Sequence, residues 1–517
     1  MAPSSSAADD LRERRLNAIL LFIVAACVVR LWLMPLGSSF WLDETFTAFL
    51  LHHGPRDPSL AVAPQVVASV YYSLPRASVS LFGDSEIAYR LPSVLAMAIA
   101  LLLITRLAAR LIHPRAGWFA AFACLALSGI NYQAADARPY ALGTCVAAAS
   151  FWFLVRWLDS GRWREAFFFI LAAGLLWRVH LTYWPLYIVF LLYAIVRIAR
   201  RETPAGWIYG AKVFAVLGAA LVPVLLTALA ILPQAAAHAY APPPLYRELF
   251  NSLKLGLVVV CGIGAWLLSR WRPAGSSAGE RELPTVRLSS SWSAALLIGG
   301  WWLLDPLCLF AYSRLSDNGI FLHRYLSVAL PGAVLAAVSL AGWFMPPALW
   351  RQAALLLGVG VLLLMGQWRV AWPRHDRSDW RGAAEQLYVF GLAPETPVIC
   401  PSPFLEARPP DWSPVYSLPG YFYAHLDAYP IPGKPILLPF EISPQALQYA
   451  TILTKEILPA RARFAIYGWN QNVRPWRDWF AARPELAGWS HTTFDQFGDV
   501  WVVLFVRGSD TIPPTDD

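Results

Sequence analysis

The chain has 517 residues, of which 57% are hydrophobic and only 14% are charged, and its formal net charge is +8. About a quarter of the residues of ordinary soluble domains are charged, so this composition excludes an ordinary soluble protein. The basic residues occupy short loops between apolar runs, which is typical of membrane topology and argues against binding to nucleic acid.

Apolar runs recur to about residue 372 and predict an α-helical polytopic membrane protein. A spanning helix needs about 20 mostly apolar residues, and lipid offers no partner to an unpaired backbone group, so the spans should be helices. We expect about eleven of them, some of them short. The predicted spans are 17–36, 92–112, 117–131, 140–158, 166–180, 184–199, 211–232, 253–269, 292–311, 325–345 and 352–372.

Lysine and arginine are concentrated in one alternating set of loops, which includes RERR, RLAARLIHPR, RWLDSGRWR, RIARRE and SRWRPAGSSAGERE. Basic loops face the cytoplasm, so the N-terminus is predicted to be cytoplasmic. An odd number of spans then predicts an extracytoplasmic C-terminus, and we expect the chain to lie in the plasma (inner) membrane. The Gly/Ser-rich stretch of the last loop is predicted to be a solvated connector.

Two domains are predicted. Residues 1–372 form the membrane domain, with a long first outer loop at about 37–91, and residues 373–517 form an extracytoplasmic α+β domain. In the latter, PVIC, RFAIYGW and VWVVLFV are typical of strands. SDWRGAAEQLYVF predicts a helix that is capped by Ser378, and RPWRDWFAA predicts another. No catalytic motif is visible in this tail.

Two adjacent carboxylates, Asp43 and Glu44, follow the first span directly, beside Trp41. One interpretation is an interfacial cap, in which Asp43 serves a short helix that begins at Glu44. The other is a general base that takes the proton of an acceptor hydroxyl.

The second outer loop, NYQAADARPYAL, places Asp136, Arg138 and Tyr140 between two apolar helices. Ionisable groups at membrane depth are costly and are usually functional or paired. The alternative is a local ion pair between Asp136 and Arg138, which would contribute little. Acids in two loops on the same predicted side favour a shared site.

Several motifs, in this order, resemble the GT-C superfamily of membrane glycosyltransferases. They are FWLDETFTAFLL, LFGDSEIAYRLPSVLAMAIALL, ADARPYAL, WRVHLTYWPL and FLHRYLSVALPG. More narrowly, the chain is similar to the branch that holds the protein O-mannosyltransferases, the aminoarabinose transferase of lipid A and Rgt-like enzymes. It departs from that branch in the first outer loop, where QVVASVYYSL replaces a His-Pro-Pro element.

The resemblance implies an inverting transferase that moves a sugar from polyprenyl phosphate to an extracytoplasmic lipid, polysaccharide or protein hydroxyl. Asp43 is then the base and Asp136 the second acid, and the two could share a divalent cation such as Mg²⁺ or Mn²⁺. A single displacement with a phosphate leaving group also calls for fixed cations. The expected donor- and substrate-binding residues are Glu44, Arg90, Arg138, Tyr140, His180, Arg324 and Tyr325.

Other interpretations stay open at this stage. Arg90 could pair with Glu86 one helical turn away, Arg324 could be a snorkelling anchor, and His180 could be an interfacial histidine. For the whole chain, the alternatives are a transporter or flippase and a catalytically inactive GT-C-like scaffold. Transporters usually show internal repeats and charges at the membrane midplane. Here no repeat is visible and the acids cluster at one rim.

Overall fold

The computed structural model describes residues 5–237, 242–270, 291–316, 319–364, 372–409, 411–416 and 420–508. The chain divides into two compact units. The first comprises Met1–Leu36, Ala68–Gly83 and Arg90–Pro373, and the second comprises Gly37–Val67, Asp84–Tyr89 and Arg374–Asp517. Much of the predicted first outer loop therefore belongs to the same unit as the C-terminal region.

Helices dominate the described residues. In chain order they are α1 Ser5–Val28, α2 Leu42–His53, α3 Pro64–Val67, α4 Ser73–Phe82, α5 Glu86–Leu111, α6 Gly117–Leu125, α7 Ser128–Ala134, α8 Tyr140–Ser160, α9 Trp163–Val179, α10 Pro185–Ala199, α11 Trp207–Ala237, α12 Tyr246–Ser252, α13 Leu255–Arg270, α14 Trp292–Leu315, α15 Leu330–Phe344, α16 Trp350–Leu364, α17 Trp380–Val389, α18 Ala424–Ala428, α19 Pro444–Ile452 and α20 Asn470–Ala481.

The predicted helical membrane fold is confirmed. Within the described residues, eight helical segments are long and apolar enough to cross a membrane, or nine if the bent pair α12 and α13 is one span. The count of eleven stays a prediction. The Gly/Ser connector at 272–284 and the end of the predicted span 352–372 lie outside the described residues.

The predicted span 117–131 is not a single helix, because it breaks between α6 and α7. The side-chain amide of Asn131 donates to the carbonyl oxygen of Leu125 at 2.7 Å. The indole N–H of Trp32, which continues α1 as a π-helical turn, donates to the Asn131 side-chain oxygen at 2.9 Å. A helix can be interrupted at membrane depth only when such partners satisfy the freed backbone groups. The interruption precedes Asp136, so it sets how the chain enters the second predicted outer loop.

The helices α14 and α15 pack closely because Gly332 of α15 lies at their contact. A Cβ atom at Gly332 would lie 2.4 Å from the backbone nitrogen of Trp302, so no larger residue fits. Nearby, the ring of Trp301 stacks on that of Phe151 at 4.0 Å between centroids. Small residues let membrane helices approach, and the aromatic rings fill the remaining space.

The second unit contains a five-stranded mixed sheet in the order β2-β1-β3-β5-β4. The strands are β1 Pro397–Pro401, β2 Lys434–Leu438, β3 Arg463–Trp469, β4 Trp489–Phe494 and β5 Val500–Arg507. β1 pairs in parallel with β2 and β3, and β5 pairs antiparallel with β3 and β4. The three predicted strands are confirmed, whereas β2 and β4 were not predicted.

The first helix of the C-terminal region begins one residue later than predicted. Its N-cap is Asp379, whose carboxylate accepts the backbone N–H of Gly382 at 3.0 Å. The prediction that Ser378 is the cap was therefore wrong. An aspartate and a serine are about equally good caps, so the adjacent pair could not be resolved from the sequence.

Residues that follow the first span are tied to the C-terminal region within the second unit. The backbone N–H of Phe40 donates to the Tyr429 hydroxyl at 2.8 Å. The Glu86 carboxylate accepts that hydroxyl at 2.9 Å and an Arg381 N–H at 2.8 Å. These bonds join segments that are far apart in sequence, which explains why they form one compact unit.

Candidate functional site

In the second unit, the acid pair lies in the first turn of α2. The helix begins at Leu42 rather than at Glu44, and Glu44 itself closes the N-terminus by accepting the backbone N–H of Trp41 at 3.2 Å. Glu44 is fully buried, whereas Asp43 is half-buried. Carboxylates in the first turn are favoured by the helix dipole. Glu44 therefore has a structural role, and Asp43 is the more accessible acid of the pair.

A histidine that the sequence analysis overlooked lies near Glu44. A ring nitrogen of His375 and a carboxylate oxygen of Glu44 are within 4.8 Å of each other, and both residues are buried. Imidazole and carboxylate are ligands of divalent first-row metals. The predicted metal ligands were Asp43 and Asp136, which belong to different units, so their joint role stays a prediction. His375 carries no motif, since it stands in a connector more than three hundred residues from Glu44.

At the C-terminal end of α2, two adjacent histidines bracket one carboxylate. His52 Nδ1 and His53 Nε2 lie 2.9 and 2.8 Å from the two oxygens of Asp427, and His52 Nε2 lies 3.3 Å from Asp84. The hydrogen bond that His52 donates to Asp427 raises the pKa of His52, against the opposing effect of burial. Burial acts to raise the pKa of Asp427, but the two histidines lower it overall. We call these residues the His-Asp clamp.

In the first unit, the predicted residues of the second outer loop are all buried. Asp136 is 0% exposed, Arg138 is 8% exposed and Tyr140 is 1% exposed. Asp136 and Arg138 lie in the short turn between α7 and α8, and Tyr140 is the first residue of α8. A surface ion pair would be solvated, so the burial of Asp136 and Arg138 argues against that alternative. Buried charges at the end of a membrane bundle are typical of a functional site.

Two of the predicted residues, Tyr325 and Tyr140, pack around a third, His180, which lies in the turn between α9 and α10. The His180 ring centroid is 4.6 Å from that of Tyr325 and 5.8 Å from that of Tyr140. A residue that the sequence analysis did not single out, Tyr183, completes the group at 5.2 Å from His180. We call His180 and these three tyrosines the aromatic cluster.

The protonation of His180 follows from its surroundings. Its Nδ1 lies 2.8 Å from the Thr182 hydroxyl oxygen and accepts the backbone N–H of Thr182. Burial lowers the pKa of His180, and the positive charges of Arg138 and Arg324 lower it further. The ring is therefore neutral, and with Nδ1 accepting, Nε2 carries the proton and can donate a hydrogen bond.

Two arginines give this end of the bundle a positive character. The guanidinium carbon of Arg324 lies 5.7 Å from the Tyr325 ring centroid, and the charges of Arg324 and Arg138 both act on His180. Guanidinium groups bind phosphate oxygens in a planar, bidentate way. Together with a neutral N–H donor, they form a group that suits a phosphate ligand.

Arg90 has a different environment. It is fully buried, and one of its terminal nitrogens donates to the carbonyl oxygens of Leu36 at 2.8 Å and Pro35 at 3.3 Å. Leu36 and Pro35 end the first span, so these bonds satisfy carbonyls that have no helical partner. The predicted role of Arg90 in donor binding stays a prediction.

Comparisons with known proteins bear on the family and the fold of the chain. The sequence profile of a family described as "Dolichyl-phosphate-mannose-protein mannosyltransferase" matches residues 68–226. ArnT from Cupriavidus metallidurans in the apo state is similar in structure, with a TM-score of 0.51 and 13% identity over 94% of this chain and 98% of that chain. The same enzyme bound to undecaprenyl phosphate gives a TM-score of 0.38 at 13% identity and the same coverage. No curated protein sequence matches the chain significantly.

The chain therefore has the fold of a GT-C membrane glycosyltransferase with a small C-terminal sheet domain. The predicted membership of the GT-C superfamily is confirmed by the family profile and by the shared fold.

Proposed function

We propose that this glycosyltransferase moves a sugar from a polyprenyl-phosphate donor to a hydroxyl group on an extracytoplasmic acceptor, with inversion at the anomeric carbon. The observation that carries the proposal is the buried Arg138 at the end of the bundle, where Arg324 lies against Tyr325 and Tyr325 packs on His180. A lipid phosphate needs cations near the membrane surface, and this group supplies them. The matched family is named for a lipid-phosphate sugar donor, which points to the same chemistry.

The reaction is a single displacement. The acceptor oxygen bonds to the anomeric carbon while the bond from that carbon to the phosphate oxygen breaks, and the lipid phosphate leaves with the electron pair. Asp43 takes the hydroxyl proton, and Arg138 and Arg324 stabilise the negative charge that develops on the leaving phosphate. One carboxylate is enough, because no covalent sugar–enzyme intermediate forms.

Asp136 acts as the second acid, which orients the substrates. A divalent cation is compatible with two acids facing a phosphate, and the buried Glu44 and His375 offer further ligands of suitable chemistry. Removal of divalent cations with a chelator, followed by addition of Mg²⁺, Mn²⁺ or Zn²⁺, measures this requirement directly.

We propose the orientation that the basic loops predict, with the N-terminus in the cytoplasm and the second unit outside. Cysteine replacements of two exposed residues test it, Asp495 in the second unit and Arg106 near the end of α5. In intact cells, a membrane-impermeant maleimide should label D495C and not R106C. The reverse pattern would contradict the orientation.

The decisive experiment is a donor screen with the purified chain. Polyprenyl phosphates that carry different sugars are incubated with the chain and hydroxyl-bearing lipid and polysaccharide fractions, and the products are identified by mass. The Asp43→Asn variant should lose transfer by at least about a hundredfold, as removal of a general base does. Asp495→Asn, a change to an exposed residue of the same unit, is the matched control and should retain transfer.

Undiminished transfer by a folded Asp43→Asn variant would rule out the base role. If no donor yields a product, solute uptake by the chain in liposomes would favour the transporter alternative. If neither activity is found, and cellular function survives replacement of both Asp43 and Asp136, the chain acts as a scaffold.

A further inference from the structure

One carboxylic acid inside the bundle is not part of the proposed mechanism. Asp305 lies on α14, a membrane-spanning helix, and is 0% exposed. Neither of its oxygens has a hydrogen-bond partner within the described part of the chain. A buried carboxyl group without partners is costly at membrane depth, so such a residue usually belongs to a ligand site.

The direction in which Asp305 points follows from its own helix. Trp301, one turn earlier on α14, stacks on Phe151 of α8 and donates its indole N–H to the carbonyl oxygen of Val328 at 2.8 Å. Residues four apart lie on the same helix face. Asp305 therefore faces α8 and the 3₁₀ turn Tyr325–Ala329 rather than lipid.

Two hydroxyl groups lie in the same region. Asp305 is close enough to the Tyr183 hydroxyl for the two groups to interact, and the Ser327 hydroxyl is adjacent to that of Tyr183. Both hydroxyl groups are buried, and neither makes a bond of hydrogen-bonding geometry within the described residues. A carboxyl group and two hydroxyls with unused hydrogen-bonding capacity thus meet in one place inside an otherwise apolar bundle.

This polar group adjoins the aromatic cluster. Tyr183 belongs to both, since its ring lies 5.2 Å from that of His180. Ser327 follows Tyr325 by two positions in the same 3₁₀ turn. Tyr183 also packs closely against α8, because a Cβ atom at Gly143 would lie 2.7 Å from its hydroxyl oxygen.

We propose that Asp305, Tyr183 and Ser327 form the subsite for the sugar ring of the donor whose phosphate is bound by Arg138 and Arg324. The inference rests on the proposed function. A sugar presents several hydroxyl groups on a compact ring, and carboxyl and hydroxyl groups can accept and donate to them in turn. The same subsite would accept an ammonium group in place of a hydroxyl, since a carboxylate pairs with either.

The test compares three ligands on the purified full-length chain. The probes are undecaprenyl phosphate, undecaprenyl phosphate that carries a neutral hexose, and undecaprenyl phosphate that carries an amino sugar. We expect at least one sugar-bearing probe to bind about tenfold tighter than the bare lipid phosphate, which is the effect of one or two well-placed hydrogen bonds. The preferred probe identifies the sugar class.

Asp305→Asn should remove most of this gain and leave binding of the bare lipid phosphate unchanged, and Tyr183→Phe should also remove most of the gain. The matched control is Ser150→Ala, because Ser150 is a buried hydroxyl on α8 that already bonds to the Val146 carbonyl oxygen at 2.8 Å. It should retain the gain, whereas Ser327→Ala should reduce it. Melting curves of all variants confirm that they remain folded.

The outcomes separate the two proposals. If the wild type binds the lipid phosphate and its sugar-dependent gain persists in Asp305→Asn and Tyr183→Phe, the subsite is wrong and the proposed function stands. If the sugar adds no affinity in the wild type, the subsite is also wrong. If the wild type binds none of the three probes, the proposed function fails and the subsite fails with it.

Discussion

The two units of this chain differ in whether a carboxyl group is hydrogen-bonded by the protein. In the first unit, Asp305 is fully buried with no hydrogen-bond partner among the described residues. In the second, both oxygens of the partly exposed Asp427 are bonded to the histidines of the clamp. Polar groups that are paired by the protein stabilise its fold, whereas polar groups left to a ligand destabilise the empty protein. The carboxyl group of Asp305 thus remains available to a ligand, whereas the carboxylate of Asp427 stabilises the fold.

The largest expected effect concerns the charges of the first unit. Arg138→Gln and Arg324→Gln should each weaken the binding of undecaprenyl phosphate by about tenfold to a hundredfold, since charge-assisted bonds contribute about 1.5–3 kcal/mol. Titration of the purified chain with this lipid measures the change. Arg106→Gln, at an exposed position on α5, is the control and should bind normally. Normal binding by both site variants would show that these arginines do not hold the phosphate.

Removal of the lone carboxyl group should increase stability. Asp305→Leu replaces a buried group without a partner by an apolar one of similar size, and we expect a gain of about 1–2 kcal/mol in the free energy of unfolding. Thermal unfolding in detergent measures it. A clear loss of stability would mean that Asp305 is bonded in the native protein, and the contrast between the two units would disappear.

Removal of the paired carboxylate in the second unit should decrease stability. Asp427→Asn weakens the clamp, and because the pairs are partly solvated we expect a loss of only about 1 kcal/mol. Hydrogen exchange resolved by peptide should show faster opening of α2 and α18 with no change in the bundle. Asp495→Asn serves as the control. Unchanged exchange in α2 would mean that the clamp contributes nothing to stability.

The smallest effect is a dependence on pH. The pKa of Asp427 is lowered, so its contribution is present above the ordinary aspartate value and is lost as the pH falls through the lowered pKa. The pKa of His52 is raised, so its contribution is complete below the ordinary histidine value and is lost as the pH rises through the raised pKa. The protection of α2 against exchange, after correction for the intrinsic rate at each pH, should therefore be greatest between about pH 4 and 6.5. Asp427→Asn should flatten this profile, and an unaltered profile would contradict the assignment.

Much of this architecture could be predicted because the signals are local. Long apolar runs predict membrane helices, and the apolar strands β1, β3 and β5 were recognised from their composition. The strand β4 was missed because its sequence, WSHTTF, is polar. It lies at the sheet edge, where only Phe494 is buried. The strand β2 was missed because KPILL contains a proline and is short, and proline is tolerated at an edge.

The candidate site shows the same limit. The motif ADARPY identified Asp136, Arg138 and Tyr140 as candidate site residues, and all three are buried in the structure. Asp305 carries no motif, and one acid in an apolar helix gives no hint of its neighbours. The contacts of Tyr183 with His180 and of Ser327 with Tyr183 arise from tertiary packing. Only the three-dimensional structure brings these residues together.

The amide that bridges the interrupted helix has a mechanical consequence. The Asn131 side chain accepts the indole N–H of Trp32 and donates to the Leu125 carbonyl oxygen, so one side chain joins three chain segments. An apolar residue in place of Asn131 would remove the hydrogen bond to the Leu125 carbonyl in an apolar environment. Joining α6 and α7 into one continuous helix would satisfy that carbonyl again. Each added helical residue turns the following side chains by about 100°. The direction of the Asp136 side chain would then change, so Asn131 controls the orientation of Asp136 through the helix break.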